Sequence, residues 1–372
     1  MIEIRTFSAP GVVRIAVVHH NQLLDFSLWY PGYSDELGDI HFGRVATCSS
    51  ALGGAFITLC NNKSGFLPNN ADSKSLHEGD GVIVRVTRSA QGGKGIRLDQ
   101  RNLPDFEITQ NTPHLLKPGP SPLETLAKRW PNANILLDDL HLIELISPYL
   151  KPRIQPSKHT LDPEIVQQIE ALEESEVELP MGMHASIVPT PALVAIDMDG
   201  AVLSNDNQSK LRSQFNANRI ALPILLHQLR LRNLSGAILI DMVGLPSKKR
   251  RLFQQDIEQA LSKDPLHPKF LGFTNLGLGE ILRPRKRPPL HELVSSDHGQ
   301  AIKILYAVKQ QFKNDLNHFK YRHITLITSI HLHQALKQDH WAASNFEQRC
   351  SISLKLESNP GFTNQQWELH YD

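Results

Sequence analysis

Two short apolar runs that each end in aspartate constrain the fold of this chain more than any other feature. Residues 194–199 have the sequence VAIDMD, and residues 238–241 have the sequence ILID. Each run predicts a β-strand, and the helical periodicity of residues 212–232 between them predicts an α/β unit. We therefore expect a sheet flanked by helices, with these two strands as neighbours.

The alternation of side chains along a strand brings three carboxylates together. Side chains two residues apart lie on the same side of an extended chain, so Asp197 and Asp199 should face the same way. If the strands are neighbours, Asp241 joins them at one edge of the sheet. Close carboxylates repel unless a cation lies between them, and hard oxygen ligands suit Mg²⁺ or Mn²⁺. Aspartates also commonly begin turns, but two such strand ends in one unit favour a metal site.

Composition excludes several classes of protein. The chain has 40% hydrophobic and 21% charged residues, which is typical of a soluble globular protein. No apolar run approaches the roughly 20 residues that span a bilayer, and the N-terminus lacks the pattern of a secretory signal, so we expect a cytoplasmic location. Cys48, Cys60 and Cys350 are widely scattered, which argues against a zinc site built on cysteine pairs.

Charge points to local rather than global binding of nucleic acid. The formal net charge is only +1, so no overall field attracts a polyanion. Basic clusters occur at residues 248–251 (KKRR) and 283–287 (RPRKR). A basic run is usually a solvated face, so each cluster alone is weak evidence.

Residues 38–99 contain short, closely spaced β-like segments punctuated by glycine, a pattern typical of a small closed barrel of OB type. Phe56 and Phe66 lie on or beside strands that would form its binding face, where aromatic rings stack on bases. For a single phenylalanine, a place in the core is the more common outcome. Candidate cations for phosphate contacts are Arg44, Lys63, Lys94 and Arg97.

The rest of the chain alternates between helical and extended patterns. A hairpin is predicted at His20 and Asn21, a turn at residues 65–68, and proline-rich breaks at 113–122 and 152–163. Helices are predicted at residues 123–129, 139–149, 164–176, 212–232 (interrupted at Pro223), 248–263 and 300–317. Further strands are predicted at residues 185–188, 192–197, 237–243, 269–273, 324–330 and 351–357, with a helix between the last two.

Together these segments resemble the bacterial ribonuclease E/G family of endoribonucleases. The most specific segments are FNAN at 215–218, QLRLRNLSG at 228–236, ILID at 238–241, QALSKD at 259–264 and GFTNLGL at 272–278. Residues 38–99 are similar to the family's S1-type RNA-binding barrel. Residues 299–372 are similar to its small C-terminal domain.

The resemblance implies an α/β (α+β multidomain) fold. An S1-type OB barrel would be inserted near the N-terminus, beside an RNase H-like and DNase I-like α/β catalytic core and a small C-terminal α+β domain. The implied divisions are residues 1–37 for an N-terminal β segment of the core scaffold, 38–99 for the barrel, 100–178 for a shortened RNase H-like or linker region, 179–290 for the DNase I-like catalytic domain and 299–372 for the C-terminal domain.

The resemblance also implies a Mg²⁺-dependent endoribonuclease of RNA processing or decay, which cuts single-stranded RNA by metal-activated water attack and leaves 5′-phosphate products. Asp197 and Asp241 match the family's metal ligands, and Asp199 matches an active-site asparagine, so these three aspartates are the expected catalytic residues. The expected RNA-binding residues are Phe56, Phe66, Lys94, Asn216, Asn218, Arg230 and Arg232. Taken without the resemblance, helix arginines are more often surface or salt-bridging residues.

Several positions depart from the family pattern. Asp199 replaces asparagine, and Gly244 stands where the family has another aspartate. Residues 295–299 (SSDHG) replace the paired cysteines of the zinc link, so we expect no zinc, and any homo-oligomer would form without it. A deletion between residues 99 and 122 removes the counterpart of the family's pocket for a 5′-monophosphate.

Two other functions stay open at this stage. A catalytically eroded RNA-binding protein of the same family is favoured by the changes at Asp199 and Gly244, whereas the retained Asp197 and Asp241 favour the enzyme. A metal-dependent DNase is a weaker alternative. Metal-dependent cleavage distinguishes the enzyme from the binder, and competition between RNA and single-stranded DNA distinguishes the two nucleases.

Overall fold

The computed structural model of the chain describes residues 1–69, 76–158, 160–200, 207–314 and 321–371. The strands in these ranges are β1 (Glu3–Ala9), β2 (Val12–His19), β3 (Gln22–Trp29), β4 (Ile40–Ser49), β5 (Gly54–Thr58), β6 (Ser64–Pro68), β7 (Gly81–Arg88), β8 (Ile96–Asp99), β9 (His114–Lys117), β10 (Asn134–Leu137), β11 (Ile154–Pro156), β12 (Glu176–Leu179), β13 (Met183–Pro189), β14 (Val194–Gly200), β15 (Gly236–Asp241), β16 (Lys269–Phe273), β17 (Gly279–Arg283), β18 (His323–Thr328), β19 (Ser353–Ser358) and β20 (Trp367–Tyr371). The α-helices in these ranges are α1 (Pro122–Arg129), α2 (Pro163–Glu170), α3 (Asn207–Leu231), α4 (Ser247–Arg250), α5 (Gln254–Leu261), α6 (Leu290–Ser295), α7 (Asp297–Asn314), α8 (Ile330–Gln338) and α9 (His340–Cys350). None of the helices in the described ranges combines the length and apolar character needed to cross a membrane.

The chain forms two compact units. Unit 1 contains residues Met1–Val86, Leu98–Ile165 and His291–Asp372, and unit 2 contains Thr87–Arg97 and Val166–Leu290.

Unit 1 begins with a mixed sheet of strand order β11-β10-β1-β2-β3. The predicted hairpin is confirmed, because β2 and β3 pair antiparallel and are joined by His20 and Asn21, whose φ angles are 47° and 60°. Positive φ at both central residues is the requirement of a tight type I′ turn. The sequence patterns did not predict β1, β10 or β11.

Unit 1 also carries a closed five-stranded barrel, consistent with the predicted OB type. Its strands follow the order β5-β6-β8-β7-β4, and β4 pairs back to β5. The turn predicted at residues 65–68 is wrong, since these residues lie within β6, which pairs with β5. The break predicted at 113–122 contains a strand, β9, which adds to β4.

The last part of unit 1 is a three-stranded sheet, β19-β18-β20, packed against α7, α8 and α9. His298 of α7 is buried and shares a 2.7 Å hydrogen bond with Asp339, and Tyr33 stacks on its ring at 4.2 Å. His298 lies in the segment that replaces the cysteine pair of the resembling family, and here it packs in the interior.

Unit 2 contains the sheet on which the candidate site is built. Its strand order is β12-β13-β14-β15-β17-β16, and β14 runs parallel to β15. The neighbouring strands expected from the sequence are therefore confirmed. Val194, Ile196 and Met198 of β14 face a core that includes apolar residues of α3 and α5, so the alternate side chains of β14 face the other side of the sheet.

Four predicted helices differ from the structure. The helix predicted at 248–263 is divided into α4, a 3₁₀ turn (Arg251–Phe253) and α5. Residues 315–317 of the helix predicted at 300–317 lie outside the described residues. Residues 139–149 form 3₁₀ turns, Leu140–Leu145 and Pro148–Arg153, because prolines at positions 148 and 152 prevent an α-helical continuation. The helix predicted at 164–176 ends at Glu170, and Glu176 begins β12. The interruption predicted at Pro223 is absent, since α3 continues through that residue.

Candidate active site

Asp197 and Asp241 are direct neighbours across two parallel strands. The register of β14 and β15 pairs Ile196 with Ile240 and Asp197 with Asp241. The isoleucines are 2% exposed and belong to the core, so both aspartates lie on the opposite face. Asp197 is exposed and Asp241 is partly exposed. The sequence therefore folds these carboxylates onto one accessible face of the sheet, with Asp241 at the end of β15 and Asp197 three residues before the end of β14.

Asp199 lies farther along β14, on the same face. It is exposed, lies opposite His184 of β13, and its Oδ1 accepts a 2.7 Å hydrogen bond from the N–H of Gly200. β15 ends at Asp241, so no β15 residue pairs with Asp199. The structure thus brings Asp197 and Asp241 together and leaves Asp199 beside them at the strand end.

Arg250 is a residue of this site that the sequence analysis placed only within a basic run. Its Nη1 donates to Asp241 Oδ1 at 2.6 Å and to the carbonyl of Gly277 at 3.0 Å, and its Nε donates to the carbonyl of Leu245 at 2.8 Å. The Arg250 side chain is 13% exposed and that of Asp241 is 48% exposed. Because two backbone carbonyls hold the guanidinium, its positive charge is fixed beside one carboxylate oxygen.

Gly244 lies against the side chain of Gln214. Its φ is +55°, and a Cβ built on it would lie 2.3 Å from Gln214 Nε2. Gln214 is 8% exposed. A side chain at position 244 would require the Gln214 amide to move and would hold the backbone in a left-handed conformation that favours glycine.

Asn218 connects α3 to the segment that follows Asp241. The asparagine is fully buried, and its Nδ2 donates to the carbonyls of Gln214 (2.7 Å) and Val243 (3.2 Å). These contacts hold the backbone two residues beyond Asp241. Asn216, on the same helix, is exposed and available to a ligand.

The two arginines predicted to bind RNA make contacts with the protein backbone. Arg232 is 6% exposed and donates to the carbonyls of Glu174 and, at 3.0 Å, Ala171. Burial lowers the pKa of Arg232 to about 10. Arg230 is partly exposed and donates to the carbonyl of Lys263 at 3.3 Å. The geometry of Arg232 favours a stabilising role, because its guanidinium already binds backbone oxygens.

Arg283, in the basic run at residues 283–287, is paired inside the protein. Its Nε donates to Asp264 Oδ2 at 2.7 Å, and its Nη1 donates to Asn233 Oδ1 and to the carbonyl of Leu234, both at 2.9 Å. The side chains of Arg283 and Asp264 are 3% and 7% exposed. This ion pair is therefore internal, and sequence alone could not separate Arg283 from its solvent-facing neighbours.

The barrel residues predicted to contact RNA lie on adjacent strands. Phe56 of β5 pairs with Phe66 of β6, and their ring centroids are 5.4 Å apart at an interplanar angle of 60°. Phe56 is 36% exposed, whereas Phe66 is partly exposed and lies over Gly54. Lys94 is exposed at the tip of the β7–β8 hairpin and belongs to unit 2.

The donor set at the strand ends fits a divalent cation held by two carboxylates. Within the described ranges, no group of three or more His, Cys, Asp and Glu side chains is arranged to hold a metal ion. Mg²⁺, however, commonly binds one or two carboxylates and completes its shell with water and substrate oxygens. Asp197 and Asp241 meet that requirement, while Arg250 competes for one oxygen.

The fold and this site define a class of protein: an α/β protein with a closed five-stranded barrel and paired carboxylates on two neighbouring parallel strands. Residues 139–286 match the Ribonuclease E/G family. Ribonuclease G of Salmonella typhimurium (strain SL1344) is 27% identical over 218 residues, 55% of this chain and 44% of that protein. Ribonuclease G of Escherichia coli (strain K12) is 34% identical over 136 residues, 36% of this chain and 27% of that protein.

Ribonuclease E of Escherichia coli (strain K12) is 22% identical over 392 residues, covering 77% of this chain and 37% of that protein. These matches show that the chain is similar to ribonucleases of the E/G family, most specifically over residues 139–286. The alignments span less than half the length of each of these three relatives. The segment that matches the family contains Asp197, Asp199 and Asp241.

Proposed function

We propose that this protein is a divalent-metal-dependent endoribonuclease that cuts single-stranded RNA in RNA processing or decay. The observation that carries the proposal is the register pairing of Asp197 with Asp241 on one accessible face of the sheet. The names of the relatives, ribonuclease G and ribonuclease E, support cleavage of RNA as the activity.

In this proposal Asp197 and Asp241 hold Mg²⁺, with Mn²⁺ as a substitute. A cation bound there would lower the pKa of a coordinated water and neutralise charge on the scissile phosphate. Addition of water to phosphorus with cleavage of the bond to the 3′-oxygen, which takes up a proton, would leave a 5′-phosphate and a 3′-hydroxyl. Asp199 lies farther along β14 on the same face, where it would help to orient groups at the site. Its exposed carboxylate adds negative charge where the family has a neutral asparagine.

The chain's own residues supply the remaining tasks. Arg250 holds the Asp241 carboxylate in place through a charge-assisted hydrogen bond. Asn218 fixes the backbone after β15, and the exposed Asn216 contacts the substrate. Phe56 and Phe66 provide a surface on which unpaired bases stack, an interaction worth roughly 1–3 kcal/mol per base.

One observation favours a second candidate, an RNA-binding protein that has lost catalysis. The Arg250–Asp241 ion pair occupies one carboxylate oxygen of the pair, and in a non-catalytic protein this arginine would replace the metal permanently. RNA affinity would then be the same with and without Mg²⁺, and no products would form.

The test is cleavage of a single-stranded RNA by the purified protein as Mg²⁺ is added. Asp197→Asn and Asp241→Asn should each reduce the rate by at least about 100-fold, in line with the loss of charge stabilisation in a transition state. Glu178→Gln is the matched control, because Glu178 is exposed on β12 of the same sheet and loses the same charge. Undiminished cleavage by either aspartate variant would refute the proposal.

A further inference from the structure

The tip of the β7–β8 hairpin is hydrogen-bonded to the segment that follows β17, and both belong to unit 2. The N–H of Ser89 donates to the carbonyl of Lys286 at 2.9 Å, and a β-bridge between Gln91 and Lys94 closes the tip. Ser89 and Gln91 are 2% and 6% exposed. These contacts fix the hairpin tip beside the basic run at residues 283–287.

Arginines from both segments come together at this junction. Arg285 lies across Gly236, since a Cβ built on that glycine would be 2.2 Å from Arg285 Nη2. Arg88 donates from Nη2 to the carbonyl of Gly95 at 2.8 Å. Burial lowers the pKa of Arg88, and the nearby positive charges of Arg97 and Arg285 lower it further.

This cluster has positive charge without a matching carboxylate. Among the described residues, none of the side chains of Arg88, Arg97 and Arg285 forms a salt bridge. The Nε of Arg88 is buried and has no hydrogen-bond partner within that part of the chain. Like charges held together are unfavourable, and an anion that accepts hydrogen bonds from them relieves the repulsion.

The same two segments also carry two exposed lysines. Lys94 is at the hairpin tip, and Lys286 follows Arg285 directly. Arg283 does not belong to this set, because it is paired internally with Asp264. Of the four cations in the second basic run, Arg283 is therefore interior, whereas Arg285 and Lys286 belong to the cluster.

We propose that Arg88, Arg97 and Arg285, with Lys94 and Lys286 at the edge, form a binding site for the phosphodiester backbone of single-stranded RNA. The inference rests on the proposed function for the identity of the polyanion. Because phosphates are the same along any RNA, this site contributes affinity that is independent of base sequence. It is separate from base stacking on Phe56 and Phe66.

The experiment measures binding of a fluorescently labelled oligouridine by anisotropy, in EDTA to prevent cleavage, at a series of salt concentrations. Each phosphate contact in a single strand contributes about 0.7 to the slope of log affinity against log salt. Arg97→Gln and Arg285→Gln should each reduce the slope by about that amount. Arg285→Lys keeps the charge and should retain the slope.

Arg322→Gln is the matched control, because Arg322 is an exposed arginine of unit 1, and its slope should equal that of the unaltered protein. Arg97 is exposed, so Arg97→Gln decides the matter if Arg285→Gln unfolds. The inference would be overturned if both glutamine variants had the same slope as the control. It would also be overturned if the unaltered protein did not bind oligouridine.

The failure of this inference is distinguishable from failure of the proposed function. If the protein cleaves RNA but the arginine variants keep the control's slope, only the backbone site is wrong. If the protein binds oligouridine with the expected slopes but never cleaves RNA in Mg²⁺ or Mn²⁺, the site stands and the catalytic proposal fails.

Discussion

Arg250 and Asp241 form an ion pair in which Nη1 and Oδ1 are 2.6 Å apart, at the end of a strand that also pairs Asp241 with Asp197. A fixed positive charge and a divalent cation compete for the same carboxylate. If Asp197 and Asp241 hold a metal ion as proposed, this pair should weaken its binding, which gives the first prediction.

Arg250→Gln should lower the Mg²⁺ concentration at half-maximal cleavage. Partly exposed ion pairs contribute roughly 0.2–1 kcal/mol, so the shift should be up to about fivefold. Lys249→Gln serves as the control, because Lys249 is exposed in the same basic run and makes no ion pair in the described residues. A requirement for more Mg²⁺ in Arg250→Gln would show that the arginine supports metal binding instead.

Arg283→Gln should destabilise the protein strongly. The substitution leaves Asp264 as a buried charge without its partner, and breaking such a pair costs about 3–5 kcal/mol. Urea unfolding measures the change, and Lys286→Gln, at an exposed position three residues away, should stay within about 0.5 kcal/mol of the unaltered protein. Equal stability of the two variants would contradict the interior role of Arg283.

Phe56→Ala should weaken RNA binding far more than it weakens the fold. Phe56 is 36% exposed, so its removal costs less packing than that of a fully buried phenylalanine, whereas loss of one stacked base costs about 1–3 kcal/mol of affinity. Anisotropy with oligouridine gives the affinity, and thermal unfolding gives the stability. The control is Leu52→Ala, which removes an apolar side chain that is 61% exposed. An unchanged affinity in Phe56→Ala would exclude the barrel face as a base platform.

Asp39 should make stability depend on pH in the acidic range. Burial, followed by the charges of Glu36 and Asp35, raises the pKa of Asp39 from 3.8 to about 6, although a hydrogen bond from Gly119 opposes the shift. A carboxyl whose pKa is raised on folding stabilises the protein fully below its unfolded pKa, and this contribution is lost as the pH rises through the folded value.

The free energy of unfolding should therefore fall between about pH 4 and pH 6 through this group, by up to about 3 kcal/mol. Asp39→Asn keeps an acceptor for the N–H of Gly119 and removes the titration. Urea unfolding at a series of pH values should show a flatter profile in that variant. If the free energy of unfolding fell equally with pH in the unaltered protein and in Asp39→Asn, groups other than Asp39 would cause the dependence.

The aspartate pair could be predicted from sequence because local patterns determine it. Two apolar runs ending in acid, with one helix between them, leave neighbouring parallel strands as the simplest arrangement. The Arg250–Asp241 and Arg283–Asp264 pairs could not be predicted, because they depend on where loops place long side chains after folding. A run of basic residues looks uniform in sequence although its members have different surroundings.

The errors in the fold also have local causes. The glycine and proline of β6 predict a turn. In the structure Gly65 is required because Leu98 packs against it: an added Cβ would lie 2.7 Å from Leu98 Cδ1. β17 is next to a proline-rich basic run, which obscures the alternation of buried and exposed side chains along the strand. In both cases packing overrode the preference of the residue types.

Calorimetric titration of Mn²⁺ into the metal-free protein tests most directly whether Asp197 and Asp241 share one cation. We expect one site in the unaltered protein, a loss of at least about 30-fold in affinity for each of Asp197→Asn and Asp241→Asn, and little further loss in the double variant, because a shared ligand set is not additive. Glu178→Gln should bind as the unaltered protein does. Affinity unchanged in either aspartate variant would contradict the shared site.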